Sequence, residues 1–130
     1  MAGKDGRRRR RELLLDGEWE EARRLLAAEM AALGVAPAEA EAAAARKLEL
    51  ARRRIEWGRE RLAAFMEMQE RAGEAYMKQI EAHPDVDWEA DDAPQLPDPP
   101  EEAAAQAIYA ELMAAINEDR WPRHLHDSGL

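Results

Sequence analysis

Few residues in this 130-residue chain could carry out chemistry. It contains no cysteine, three histidines and a single serine, Ser128. Without cysteine there is no thiol nucleophile, no disulfide and no thiolate zinc site. A serine–histidine mechanism would need Ser128, which lies two residues from the end of the printed sequence, where no scaffold can hold it against a base. We therefore predict that the protein is not an enzyme and has no catalytic residues.

Two groups of side chains have a spacing that could bind a metal ion. His124 and His126 could chelate together, but a zinc site needs three or four ligands on a rigid frame. The alternating acids of residues 85–92 are similar to a calcium-binding loop, but Ala90 and Leu96 replace its turn glycine and its terminal glutamate. We expect neither group to bind metal, and no sequence motif indicates a nucleotide or another cofactor.

Composition predicts the fold class. Hydrophobic residues make up 46% of the chain, but 28 of them are alanine, and Leu, Ile, Val and Phe together number 20. Threonine is absent and β-branched residues total six, so a sheet has little raw material. Alanine, arginine and glutamate favour helices. The composition therefore predicts an all-α protein.

Apolar spacing predicts an elongated antiparallel helical hairpin, similar to a coiled coil, over residues 12–82. Its helices are expected at about 12–33 and 37–82, with Gly34 ending the first in a left-handed conformation. The second helix continues to His83, and its apolar residues alternate in steps of four and three. The residues predicted for the hairpin seam, which would also join copies of the chain, are Trp19, Leu26, Leu48, Ile55, Leu62 and Phe65.

Four further segments are expected outside the hairpin. Residues 1–11 are expected to form a basic disordered arm, although the first helix could also begin among the arginines. Residues 83–98 are expected to be an acidic, proline-rich linker, and 99–119 a third helix capped by Asp98. Residues 120–130 lack periodicity and are expected to form a flexible tail.

Charge changes strongly along the chain, whose net charge is −9. Residues 1–11 carry six basic groups and one acid, whereas residues 84–130 carry two basic groups and 12 acids. Clustered arginines bind phosphate by releasing counterions. The candidate nucleic-acid contacts are Arg7, Arg8, Arg9, Arg10, Arg11, Arg52, Arg53 and Arg54.

The acidic C-terminal third contains the candidate contacts to a protein partner. A tryptophan among acids can insert into a partner while the acids steer it towards a basic surface. The alternative is that Trp88 folds back onto the long helix. The third helix has a broad apolar face that needs a surface to cover, either in its own chain or in another copy. The predicted partner-binding residues are Val86, Trp88, Ile108, Leu112 and Ile116.

Two functional hypotheses follow from this layout. The first is a non-enzymatic adaptor or assembly protein, a homo-oligomer through its hairpin, whose acidic third engages a protein partner. The second is a nucleic-acid-associated factor. The layout is similar to that of phage terminase small subunits, which join a helical oligomerisation hairpin to a partner-binding end, but the helix-turn-helix that this resemblance implies is missing here.

Hydrophobic runs predict the compartment. The apolar run Leu13 to Leu15 is too short for a signal peptide, and no run is long enough to cross a bilayer. We therefore expect a cytoplasmic protein with no membrane partner.

Overall fold

The computed structural model describes residues 2–126, with side chains described from residue 6. The regular structure of the described chain is entirely helical, with no strand, which confirms the prediction of an all-α protein. Its elements are α1 (Ala2–Leu15), α2 (Trp19–Ala32), α3 (Pro37–Ala82), α4 (Pro100–Asn117) and a 3₁₀ turn (Arg123–Leu125). Residues 1–57 with 123–130 form one compact unit, unit 1, and residues 58–122 form a second, unit 2.

The N-terminal region differs from its prediction. Residues 2–11, expected as a disordered arm, belong to α1, and the single helix expected at 12–33 is broken at Gly17. Gly17 has a φ of 81°. Its N–H donates a hydrogen bond to Leu14 O, and the N–H of Glu18 donates one to Leu13 O. These two bonds form a Schellman motif, which satisfies the last carbonyls of α1. Glycine ends α1 here because it adopts positive φ without a Cβ clash.

Gly34 ends α2 in the same way. Its φ is 98°. Its N–H donates a hydrogen bond to Ala31 O, and the N–H of Val35 donates one to Met30 O. This confirms the role predicted for Gly34. Pro37 then begins α3, where its missing N–H leaves no donor unsatisfied.

Unit 1 has a core of three helices. α1 packs beside α2, and the start of α3 completes the cluster. Ala22 and Ala44 are fully buried, so the helix backbones approach closely at these positions. The core residues are Leu13, Ala22, Leu26, Ala27, Ala44 and Leu48. A hairpin of two helices is therefore too simple a description of this unit, because α1 covers its open side.

The segment predicted as a flexible tail also contributes to unit 1. Leu125 is 2% exposed, and two arginines of α3 bond the neighbouring backbone. Arg53 Nη1 donates to His124 O at 3.4 Å, and Arg54 Nε donates to Leu125 O at 3.2 Å. Lack of periodicity around residue 125 concealed this contact, because one buried leucine leaves no repeating pattern.

Unit 2 contains the second part of α3, a connecting segment and α4. The segment over residues 83–98 has no helix or strand; turns occupy residues 84–92, and residues 93–98 are irregular. In one of the turns, the Asp87 carboxylate accepts a hydrogen bond from the Glu89 N–H at 3.2 Å. α4 begins at Pro100 with Pro99 as its cap residue and no side-chain cap bond, so the predicted capping role of Asp98 is wrong.

Candidate functional site

In unit 2, α4 lies antiparallel to the second part of α3. Tyr76 near the end of α3 bonds Asp98 before α4 begins, and Phe65 lies against Tyr109, with ring centroids 5.5 Å apart. Further back along α3, Arg61 pairs with Glu111 at 2.8 Å. Residues that lie earlier along α3 therefore contact residues that lie later along α4, as expected for antiparallel helices. Part of the apolar face of α4, including Leu112, is thus covered within its own chain.

Small side chains allow this pair of helices to approach closely. Ala72 of α3 is 2% exposed, and Ala105 and Ala115 of α4 are almost fully buried. Leu112 is the large residue of the seam and is 5% exposed. A seam with so many alanines is narrow, and larger apolar residues on its flank are left in contact with solvent.

Four large apolar side chains lie exposed on one flank of the α3–α4 pair near the contact between Phe65 and Tyr109, and Met77, 53% exposed, lies three turns beyond Met66 on the same side of α3. On α3, Leu62 and Met66 are one turn apart and are 50% and 61% exposed. On α4, Tyr109 and Ile116 are two turns apart and are 46% and 59% exposed. The contact between Phe65 and Tyr109 brings the two helices together at this level. We call these four residues the uncovered apolar face.

Helix geometry places the four residues on the same side. Residues three, four or seven apart share one side of a helix. The salt bridge between Arg61 and Glu111 fixes the opposite flank, because Glu111 lies about 200° around α4 from Tyr109. Leu62, one residue after Arg61, is rotated by about 100° towards the flank of Tyr109.

Acids lie at one end of the uncovered apolar face. Glu70 continues the stripe of Met66 on α3, one turn further along, and Glu102 precedes Tyr109 by two turns on α4. Beside them, Tyr76 donates a hydrogen bond to Asp98 at 2.6 Å. This bond, with the negative charges of Asp98 and Glu102, raises the pKa of Tyr76 to about 12.

The predicted hairpin seam is divided between the two units. Leu26 and Leu48 are core residues of unit 1, so they cannot also join copies of the chain. The Arg52 guanidinium lies over the Trp19 ring, with its Cζ 5.5 Å from the ring centroid. Ile55 is partly buried. In unit 2, Phe65 packs on Tyr109 and Leu62 belongs to the uncovered apolar face. The six residues therefore form no continuous seam.

The predicted partner-binding residues differ in how far they are buried, so they do not form one exposed surface. Leu112 is in the helix seam, and Val86 and Ile108 are partly buried. Trp88 is partly buried, and its ring makes an edge-to-face contact with the ring of His83, at a centroid distance of 6.4 Å. Of the five residues, Ile116 alone is exposed. Met66 and Tyr109, missing from both predicted sets, complete the face, and helical spacing from Leu62 and Ile116 could have found them.

The arginines of α1 point in two directions. Arg10 pairs with Glu29 of α2 at 3.0 Å, and Arg9 pairs with Glu21 at 3.7 Å. Arg7, Arg8 and Arg11 are exposed. On α3, all three candidate arginines make contacts within unit 1, since Arg52 also pairs with Glu56 while Arg53 and Arg54 bond the C-terminal backbone.

No other feature of the described chain indicates chemistry. Residues 2–126 contain no group of three or more acids or histidines that could hold a metal ion. Over the same residues, no helix combines the length and apolarity needed to cross a membrane. A groove of about 250 Å³ beside Trp19 is lined by both acids and arginines and has no distinct chemical character.

Comparisons of the chain with family models, curated proteins and solved structures found no match.

Proposed function

We propose that the protein is a non-enzymatic helical adaptor or assembly protein, which self-associates and engages a protein partner through its acidic C-terminal third. The uncovered apolar face is the observation that carries this proposal. An aromatic ring, a methionine and two branched aliphatic side chains, each close to half exposed or more, lie together beside acids. Contiguous apolar surface with a polar rim is typical of protein-binding sites.

The position of the contact between copies differs from the seam expected from the sequence. Leu26 and Leu48 are buried in unit 1. Leu62 is the seam residue that is both large and exposed, and it is assigned to the same flank as Ile116, a predicted partner contact. We therefore assign self-association and partner binding to the same flank of α3 and α4.

Charge supports a protein partner with basic groups. Residues 58–122 carry five basic and 16 acidic residues, a net charge of −11. A strongly negative surface accelerates binding to a basic partner and selects against acidic ones. Nucleic acid would be repelled by this unit.

Nucleic-acid binding is the second candidate, and the exposed arginines of α1 favour it. Several other candidate arginines instead have partners in unit 1: Arg9 and Arg10 pair with acids, and Arg53 and Arg54 bond backbone carbonyls. The two ion pairs reduce the number of cations available to phosphate, and the two backbone bonds hold the Arg53 and Arg54 side chains against the C-terminal segment. The adaptor function is therefore better supported.

Light scattering with and without duplex DNA, at low and high salt, separates the two candidates. An adaptor gives a mass above the 14.7 kDa of one chain, and DNA leaves this mass unchanged. Binding to DNA that salt weakens, and that is lost when Arg7, Arg8 and Arg11 become alanine, would favour the second candidate. A monomer that ignores DNA would contradict both.

A pair of single substitutions tests whether the face mediates the assembly. Ile116→Asp places a charge in the face and should weaken self-association about tenfold or more, as loss of a central apolar contact does. Leu33→Asp is the matched control, because Leu33 is 86% exposed in unit 1, outside the face. Equal effects of the two substitutions would contradict the assignment.

A further inference from the structure

α1 carries a basic stripe that combines arginines with an exposed leucine. Arg8, Arg11 and Leu15 are spaced by three and four residues, so they share one side of the helix. Leu13, the core residue of α1, is two residues from both Arg11 and Leu15 and therefore lies about 200° around the helix from them. We call Arg8, Arg11 and Leu15 the basic stripe.

Exposure agrees with this geometry. Arg8 and Arg11 are exposed, and Leu15 is 54% exposed. Arg8 contacts Glu12 one turn away at 3.4 Å, but its side chain is 83% exposed, so this ion pair is weak. Arg9 and Arg10 pair with acids of α2, and of these two Arg10 is partly buried whereas Arg9 is exposed. The stripe therefore presents its cations to solvent.

The basic stripe and the uncovered apolar face have complementary patterns. Along α3, the apolar residue Met66 is followed four residues later by Glu70. Along α1 in the reverse direction, Leu15 is followed four residues later by Arg11. Both steps span about 6 Å of helix axis. A leucine placed on the apolar residues would therefore bring an arginine near the acids.

We propose that the uncovered apolar face of one copy binds the basic stripe of a second copy. This inference rests on the proposed self-association and names its contact. Charge complementarity favours a second copy as the occupant: residues 58–122 have a net charge of −11, whereas the rest of the chain has 14 basic and 12 acidic residues. Every copy carries one basic stripe and one uncovered apolar face, so the two surfaces are always present in equal numbers.

The assembly is therefore head-to-tail. The two surfaces lie in different units of the chain and differ from one another, so the contact is heterologous, and it continues from copy to copy until a ring closes or the chain of copies ends. Salt weakens it, because exposed charge pairs are screened. An isologous dimer, in which the same patch meets itself, would behave differently when variants are mixed.

Mixing two full-length variants tests this contact. The first, Arg8→Glu with Arg11→Glu, reverses the basic stripe and keeps the face. The second, Leu62→Asp with Ile116→Asp, disrupts the face and keeps the stripe. All four positions are exposed, and circular dichroism checks that each variant folds. The charge control is Arg24→Glu with Arg46→Glu, two exposed arginines elsewhere in unit 1.

Light scattering should show each of the two test variants alone as a monomer, with self-association weakened at least about tenfold. Their equimolar mixture should give a species of twice the chain mass, because one intact stripe and one intact face remain and no further copy can add. The charge control should assemble like the unchanged protein.

Three outcomes would overturn the contact. These are a mixture that contains monomers alone, a test variant that assembles like the unchanged protein, and a charge control that loses assembly as fully as the stripe variant. In each case an unchanged protein that still self-associates leaves the proposed function standing. The unchanged protein could instead be a monomer at low salt that binds a basic helical peptide. That result would show that the uncovered apolar face binds a different protein and not a second copy.

Discussion

The phenol O–H of Tyr76 donates a hydrogen bond to the Asp98 carboxylate, with 2.6 Å between the two oxygens. Loss of the phenol proton would break this bond and place two negative charges together. This hydrogen bond is the main reason that the pKa of Tyr76 is raised to about 12, and the charges of Asp98 and Glu102 contribute to the same shift. Tyr76 thereby ties the end of α3 to the residue before α4.

This shift gives a pH dependence with a definite sign. The ordinary pKa of tyrosine is about 10, so the unfolded chain loses the Tyr76 proton at lower pH than the folded chain. The stabilisation from this bond is therefore complete below pH of about 10 and is lost as pH rises through about 12.

We predict that Asp98→Asn lowers the pKa of Tyr76, because the acceptor charge is removed. Ultraviolet absorbance of tyrosinate, followed against pH in a Tyr109→Phe background, reports Tyr76 alone, since the chain has two tyrosines. The same background with Asp98 retained is the control. An unchanged titration midpoint would show that Asp98 does not hold the Tyr76 proton.

At the scale of the helices, alanine determines how closely elements pack. Ala22 of α2 and Ala44 of α3 are both 0% exposed within the core of unit 1. A close-packed interior has no space for additional methylene groups, and their insertion typically destabilises a protein by about 1–3 kcal/mol. The alanines that make up much of the hydrophobic content are thus part of the packing.

We predict that Ala44→Leu lowers the free energy of unfolding by about 1–3 kcal/mol, because its side chain would enter the contact between α1, α2 and α3. Ala42→Leu is the matched control, two residues earlier on the exposed side of the same helix, and should change stability by less than about 0.5 kcal/mol. Urea unfolding followed by circular dichroism measures both. Equal changes would indicate that Ala44 is not at a close helix contact.

The sequence predicted some helix boundaries well and others poorly, for local reasons. Gly34 follows a clear apolar stripe, so its role as a helix end was evident. Asp16 and Gly17 are compatible with either the beginning of one helix or the end of another, and the three-residue break at 16–18 was missed. The arginines of α1 gave no apolar pattern, although arginine is a good helix former.

Contacts between distant segments were harder to predict. α4 was recognised as a helix with an apolar face, but its spacing alone could not identify α3 as the surface that covers it. Leu62 and Ile116 were assigned to different sets, whereas the antiparallel register of α3 and α4 places them on one flank. Leu125 was missed because its burial depends on a contact with α3, 71 residues away.

At the scale of the whole molecule, the net charge of −9 is the sum of two different units. Residues 58–122 carry −11, and the remaining residues carry +2. The division of charge therefore follows the division into compact units; the basic stripe belongs to unit 1 and the uncovered apolar face to unit 2. A chain with this arrangement is suited to bind copies of itself in a directional order.

Cross-linking between single-cysteine variants tests whether the basic stripe of one copy binds the uncovered apolar face of another. The chain has no cysteine of its own, so each variant carries a single reactive thiol. Arg7→Cys lies beside the basic stripe, Gln106→Cys lies beside Tyr109, and both positions are exposed. With one copy tagged, a short bis-maleimide should join these two variants in a mixed dimer. The control pair replaces Arg7→Cys by Ala42→Cys, at an exposed site of unit 1 away from the stripe. The first pair should give much more mixed dimer than the control pair, whereas equal yields at low salt would show that the basic stripe does not bind the uncovered apolar face.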